Sequence, residues 1–237
     1  MASRGKRWRS GRASVDSDTR YGLREAVELM LSTPGTKFDE SIDLAARLGV
    51  DPRHADQMVR GAVSLPNGTG KLVRVLVFAQ GDAAAAAEEA GADFVGGDEL
   101  VQKIQGGWVE FDKAVATRDM MGKVGRLGRV LGPRGLMPTP KVGTVVGPDQ
   151  VAGVVRDLKG GRIDFRVEKA GIVHVPFGRR SMGADALVEN LEALVAEIVR
   201  LKPSSAKGTY LRGAAISSTM GVGVRIDTND LARIAGL

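Results

Sequence analysis

The pattern of apolar and polar positions changes character twice along the chain. In the first stretch, Ala26, Val27, Met30 and Leu31 recur near a 3.6-residue period, which predicts a helix over 23–31 that Pro34-Gly35 ends. Ile42, Leu44, Ala46 and Leu48 then alternate with Asp43, Ala45 and Arg47, the signature of a half-buried strand. Asp51-Pro52 predicts a short helix over 51–60, with the aspartate as cap and the proline at the first helical position. One strand and two short helices do not make a core.

The middle stretch opens with a near-continuous apolar run over 72–79, suited to a strand covered on both faces. An alanine-rich helix over 83–90 follows, behind Asp82 as cap, and then a short strand at 93–95. A helix over 98–104 and a strand at 114–117 come next. From Asp149 a helix places Val151, Val154, Val155 and Leu158 on one face. This alternation predicts a parallel sheet with helices on both sides. In the last stretch, strands at 162–168 and 172–175 flank the turn Lys169-Ala170-Gly171. A helix over 185–201 carries Leu187, Val188, Leu191, Leu194, Val195 and Ile198 as a wide apolar stripe, and Pro203 stops it. Strands at 209–217 and 222–226 flank Ser218-Thr219-Met220-Gly221, which reads as an antiparallel sheet with helices on one face. Neither end is self-sufficient, while the middle is. The expected fold class is therefore mixed, α/β and α+β. Residues 1–68 together with 160–237 form a discontinuous two-layer α+β domain, and residues 69–159 form an inserted three-layer α/β domain. The two crossings, at 66–70 and 159–161, are expected to lie side by side as a hinge.

Composition removes several classes of function. The 237 residues include no cysteine, which excludes a disulfide framework, thiol catalysis and cysteine-based zinc sites. Two histidines, His54 and His174, are too few for a histidine-rich metal site. No run reaches the roughly 18 to 20 apolar residues of a membrane span, and the charged N-terminus has no apolar core behind it. The expectation is a soluble cytoplasmic protein without membrane partners. Its formal net charge of +6, from 34 basic and 28 acidic residues, is modest. The excess sits at the ends: 11 against 9 over residues 1–68 and 11 against 8 over 160–237, compared with 12 against 11 in the middle. A polyanion-binding surface is thus expected from the two termini.

Two clusters stand out. Arg4, Lys6, Arg7, Arg9 and Arg12, with Trp8 among them and no acid before Asp16, form an arm suited to a phosphate backbone and base stacking, and expected to be disordered when free. The stretch from Arg118 to Lys141 carries Arg118, Lys123, Arg126, Arg129, Arg134 and Lys141 against Asp119, and its glycines and prolines predict a defined, ordered loop.

Enzyme motifs fail. Gly68-Thr69-Gly70-Lys71 lacks the upstream glycine of a phosphate loop, has Leu72 after the lysine, and precedes a strand instead of following one. Gln80-Gly81-Asp82 lacks the dinucleotide glycine pattern, and there is no nucleophile elbow. His174 has no motif partner, and a packing or hydrogen-bonding role is expected for it. No catalytic residue, metal or cofactor is expected, which disfavours a cofactor-binding enzyme.

The run GRVLGPRGLMPTPKVGTV within the basic stretch resembles the signature of the L-one family of large-subunit ribosomal proteins in its bacterial form. Lys37-Phe38-Asp39-Glu40-Ser41, Asp56-Gln57-Met58-Val59-Arg60-Gly61, Val63-Ser64-Leu65-Pro66, Glu89-Ala90-Gly91-Ala92-Asp93, Gly106-Gly107-Trp108, Ala206-Lys207-Gly208 and Ser218-Thr219-Met220-Gly221 agree with it. The resemblance implies that the terminal domain grips ribosomal RNA at a mobile stalk beside the tRNA exit site, and that the insert is Rossmann-like without a cofactor. It also implies help in releasing deacylated tRNA and repression of the protein's own messenger RNA. Expected partners are large-subunit ribosomal RNA, exit-site tRNA and that messenger, with the protein a monomer off the ribosome. By position, the implied RNA-binding residues are Lys37, Phe38, Ser41, Asp43, Arg166, Lys169, Lys207, Thr209, Thr219, Met220 and Gly221. Arg126, Arg129, Arg134 and Lys141 are secondary RNA or tRNA contacts. Three features depart from the family's pattern: Ser41 stands where threonine is common, Gly22 where a threonine often caps the first helix, and Phe177–Met182 is unusually basic.

Overall fold

A computed structural model describes residues 5–234 and 236. Along the chain it has α1 (Lys6–Ser14), α2 (Leu23–Ser32), β1 (Ser41–Leu48) and β2 (Arg60–Ser64). Next come β3 (Val75–Phe78), α3 (Asp82–Glu89), β4 (Phe94–Gly96), α4 (Asp98–Gln105) and β5 (Lys113–Thr117). Short helices α5 (Met121–Val124) and α6 (Gly128–Leu131), β6 (Val145–Val146) and α7 (Val151–Lys159) complete the middle. The chain ends with β7 (Arg162–Arg166), β8 (Ile172–Arg179), α8 (Ala184–Arg200), β9 (Leu211–Ser218), β10 (Val224–Ile226) and α9 (Thr228–Ile234). Two compact units result: the described residues of Met1–Gly70 with Asp164–Leu237, and Lys71–Ile163.

Unit one is built on an antiparallel sheet of order β10-β9-β1-β8. The alternation seen in the sequence decides its two faces. Ile42, Leu44, Ala46 and Leu48 of β1 point inward with Val173, Val175, Phe177, Ile216 and Val224, all buried. On that face pack Val27 and Met30 of α2, Leu187, Leu191, Leu194 and Ile198 of α8, and Leu231 of α9. Asn190 interrupts the apolar stripe of α8 for a reason. Its Nδ2 donates to the carbonyls of Gly68 (2.8 Å) and Phe177 (2.9 Å), and its Oδ1 accepts from the Asn67 N–H at 3.0 Å. A buried amide thus satisfies backbone groups where the chain leaves the unit. Gly22 offers α2 no side-chain cap, and the Asp230 carboxylate of α9 accepts the Leu23 N–H at 2.9 Å in its place.

Unit two holds the parallel sheet, order β4-β3-β5-β6. All four residues of β3 are buried because helices cover both faces. Val75 and Val77 pack with Ala83, Ala87, Val151 and Val155 on one side, and Leu76 and Phe78 with Ile104, Val124, Leu127 and Leu131 on the other. Apolar area removed from water on both faces stabilises each such side chain by about 1.5–3 kcal/mol.

Five expectations are corrected. Residues 51–60 are not a helix. A single 3-10 turn spans Ala55–Gln57, and Arg60–Ser64 is a strand paired with β7. The Asp51 carboxylate does accept a nearby N–H, that of Arg53 at 3.0 Å, in a turn instead of a helix cap. Asp82 lies in the first turn of α3, and Gly81, at φ 60°, is the cap. The basic stretch is helical from Arg118 to Leu131, as 3-10 turns around α5 and α6. Its Met120, Val124, Leu127 and Leu131 are buried at helical spacing, so burial overrides the low helix propensity of Gly122, Gly125 and Gly128. The basic arm is a helix, α1, over Lys6–Ser14, while Arg4 lies outside the described residues. His174 is exposed on β8, so it does not pack in the core.

Asp112 joins the start of unit two to β5. It accepts from Lys71 Nζ (2.7 Å) and from the backbone N–H and Nε of Arg74 (3.2 and 3.1 Å). Burial pushes its carboxyl up, but these cationic donors outweigh burial and hold it at about 2. A folded value below that of an ordinary aspartate contributes stability that is complete above about pH 4 and lost as pH falls toward 2. Asp112→Asn is therefore expected to lower stability at neutral pH and to flatten the acid limb between about pH 4 and 2. Urea denaturation followed by circular dichroism across that range checks it, and an acid limb identical to the parent's contradicts it.

Candidate nucleic-acid interface

The outer face of the unit-one sheet carries small and polar residues. Register places Asp43 of β1 between Pro176 of β8 and Ser217 of β9, and Ala45 between His174 and Ala215. Arg225 of β10 lies opposite Ala215, and Arg47 opposite Gly213 and Ile172. The centre is thus a low floor of Ala45, Ala215 and Gly213, bordered by His174 and Arg225. Burial pushes the Asp43 carboxyl up, and the nearby His174 pulls it partly back. Such a group suits a hydroxyl or amino donor better than a phosphate.

At the start of β1, two chain segments 178 residues apart are locked together. The Thr219 N–H donates to the Ser41 carbonyl at 3.0 Å. The Thr219 hydroxyl both accepts from the Ser41 N–H (3.1 Å) and donates to its carbonyl (3.2 Å). The Met220 N–H donates to Oε1 of Glu40 at 3.0 Å. Glu40 is 1% exposed and faces Arg180 across 3.4 Å. That guanidinium also donates to the carbonyls of Leu31 and Thr33 at the end of α2, and the Arg180 N–H donates to the Glu40 carbonyl at 2.9 Å. Every polar group of the buried carboxylate is thus answered, as a buried charge requires. Beside it, hydrogen bonds from Ser181 and the Arg179 guanidinium hold the Asp39 carboxyl below the usual aspartate range.

This frame fixes a turn whose side chains face out. Met220 is 53% exposed and Phe38 55%, two of the three large apolar side chains left exposed among the described residues. Gly221 tolerates no side chain without displacing a neighbour, since a Cβ there would lie 2.3 Å from Ser218 Oγ. Lys37 is exposed next to Phe38. Of the residues implied by the sequence, Lys37, Phe38, Ser41, Asp43, Thr219, Met220 and Gly221 therefore gather at one end of the sheet.

Lys169 and Lys207 lie at the other end, about 25 Å along the eight residues of β1. They line an open cleft of about 590 Å³ with Arg53, Arg212 and Asp51. Thr209 is held there by close packing, because its carbonyl would sit 2.2 Å from any Cβ at Gly49. Arg166 is exposed on β7, outside the four-stranded sheet. Arg126, Arg129, Arg134 and Lys141 are exposed in unit two. Arg126 and Arg129 stand on the helical segment, and Arg126 lines a cleft with Asp98, Gln102, Gln105 and Lys123. Sequence reasoning missed Glu40 and Arg180 as supports, and Arg53, Arg212, Ser217 and Arg225 as neighbours. The alternation of β9 and β10 already put the last two on the outer face; no sequence signal joins Glu40 to Arg180.

These features define a two-unit mixed α/β protein with a polar, cation-edged sheet face in its discontinuous unit. The ribosomal protein L1p/L10e family model matches residues 30–222, and the chain belongs to that family. Over 227 residues, 96% of each chain, it is 59% identical to the large ribosomal subunit protein uL1 of Syntrophobacter fumaroxidans. Identity is 58% to the uL1 of Desulfotalea psychrophila and 55% to that of Desulfosudis oleivorans, over the same share.

Removing Glu40 takes the counter-charge from the half-buried Arg180 and the acceptor from the Met220 N–H. Glu40→Ala is expected to destabilise unit one by about 3–5 kcal/mol, and Glu40→Gln, which keeps an acceptor for the Met220 N–H, by less. Urea unfolding orders the two, and equal stability of both variants with the parent contradicts the role given to Glu40.

Proposed function

We propose that the chain is a constituent of the large ribosomal subunit, and that unit one binds ribosomal RNA through the outer face and the Thr219-Met220-Gly221 turn. The observation that carries this reading is the turn itself, locked by Ser41 and Glu40 while Met220 and Phe38 stand exposed beside it. An aromatic, a thioether and backbone groups on a rigid frame read ribose hydroxyls and RNA shape, while Lys37, Lys169, Lys207 and Arg166 meet phosphates. Relatives over almost the whole length are large-subunit proteins, which supports the ribosomal setting.

The finer reading follows the family. The RNA is the mobile stalk beside the tRNA exit site, and the protein assists release of deacylated tRNA. It also represses translation of its own operon by binding a similar fold in its messenger RNA. Arg126, Arg129, Arg134 and Lys141 of unit two are secondary contacts to RNA or tRNA, and the protein is a monomer off the cytoplasmic ribosome. No step of this role calls for catalysis.

Thr219→Ala and Met220→Asp are each expected to weaken binding to a stalk-segment transcript by about 1–3 kcal/mol, read by filter binding. Unchanged affinity in both, with the fold intact by circular dichroism, removes the turn from the site. Deleting residues 71–160, which spares β7, and bridging the ends with a short linker is expected to retain RNA binding. A folded deletion protein that no longer binds shows that unit two is needed.

A further inference from the structure

Helix α1 is left over by the RNA-reading turn. It carries Lys6, Arg7, Arg9 and Arg12 and no acidic residue. A nine-residue helix with unopposed like charge does not hold itself together in water, so docking must hold it. Gly11 is buried, with Val222, Thr33 and Pro34 each within 3.6 Å of where its Cβ would be. Arg12 donates to the Val15 carbonyl at 2.6 Å and to Ser17. Arg7 reaches the recognition turn itself, donating from Nη2 to the Met220 carbonyl at 3.3 Å.

Two cations therefore have internal duties and two do not. Lys6 and Arg9 are exposed, and neither side chain has a hydrogen bond or ion pair among the described residues. They stand three residues apart, which puts them on one face of the helix, and each is within two residues of Arg7. At about 1.5 Å of rise per residue they lie within a helical turn of the contact to Met220. The same helix has only Trp8 and Ala13 as apolar side chains, too few for the apolar face with which a basic helix enters a membrane surface.

We propose that α1 is a phosphate clamp. Lys6 and Arg9 meet the sugar–phosphate backbone of the RNA whose shape the Met220 turn reads, and Arg7 fixes the helix to that turn. The proposal rests on the RNA-binding reading of unit one, and its test separates the two.

The full chain carrying Lys6→Ala and Arg9→Ala is titrated with a stalk-segment transcript over a range of KCl concentrations, beside the parent and Thr219→Ala. Both substitutions raise helix propensity, so α1 is not weakened by them. Two lost phosphate contacts are expected to flatten the slope of log affinity against log salt by about 1–2, and to cost about tenfold at low salt, with the gap closing as salt rises. An unchanged slope and affinity, while Thr219→Ala binds more weakly, overturns the clamp and leaves the turn in place. If neither variant differs from the parent, the RNA-binding reading of this surface fails, and the clamp with it.

Discussion

One buried carboxylate organises the candidate interface. Glu40 sits at the junction of α2, β1, β8 and the β9–β10 turn, and its two oxygens serve different masters. One accepts the Met220 N–H, and the other faces Arg180, which in turn holds the end of α2. Burial of a charge is costly unless every polar group finds a partner. Here the partners come from segments some 140 and 180 residues away. They are so far apart in sequence because Lys71–Ile163 is inserted between the two segments of the unit. Glu40, just before β1, comes from the N-terminal part, and both of its partners come from the C-terminal part.

The same economy accounts for the modest net charge. Recognition through a rigid turn and a floor of alanine and glycine needs close approach more than strong attraction. Cations then stand at the margins: Lys37 and α1 at one end of the sheet, and Lys169, Lys207, Arg53 and Arg212 around the cleft at the other. A carboxyl also lies on the outer face, Asp43, whose burial pushes its pKa up while the nearby His174 pulls it partly back.

Much of this was legible in the sequence, for definable reasons. The helix α8 and the strand β1 each carry a clean period and fell where it put them, and the apolar run over 72–79 contains the buried strand β3, although Leu72 at its start is exposed. Three elements were misread because local signals opposed tertiary ones. Asp51-Pro52 has the chemistry of a helix start, yet pairing with β7 draws the segment after it into a strand. Glycines concealed the helical burial of Met120, Val124, Leu127 and Leu131. Helix α1 looked like a tail because almost nothing in it is apolar, and a single small residue, Gly11, carries its docking. The exposed residues of the candidate interface were proposed from the family resemblance, whereas Glu40 and Arg180 as its supports were not. A long-range pair leaves no mark in one sequence, since either residue alone reads as ordinary surface charge.

The central claim is that RNA is held on the outer face of unit one, at a turn stiffened from below. Backbone hydrogen exchange of the whole protein, with and without a stalk-segment transcript, tests it most directly. The account predicts that protection by RNA is strongest in residues 37–43 and 218–221, extends to 166–169 and 207–209, and is weak over 71–163. Protection concentrated in 118–141, with exchange at 218–221 unchanged, would contradict it.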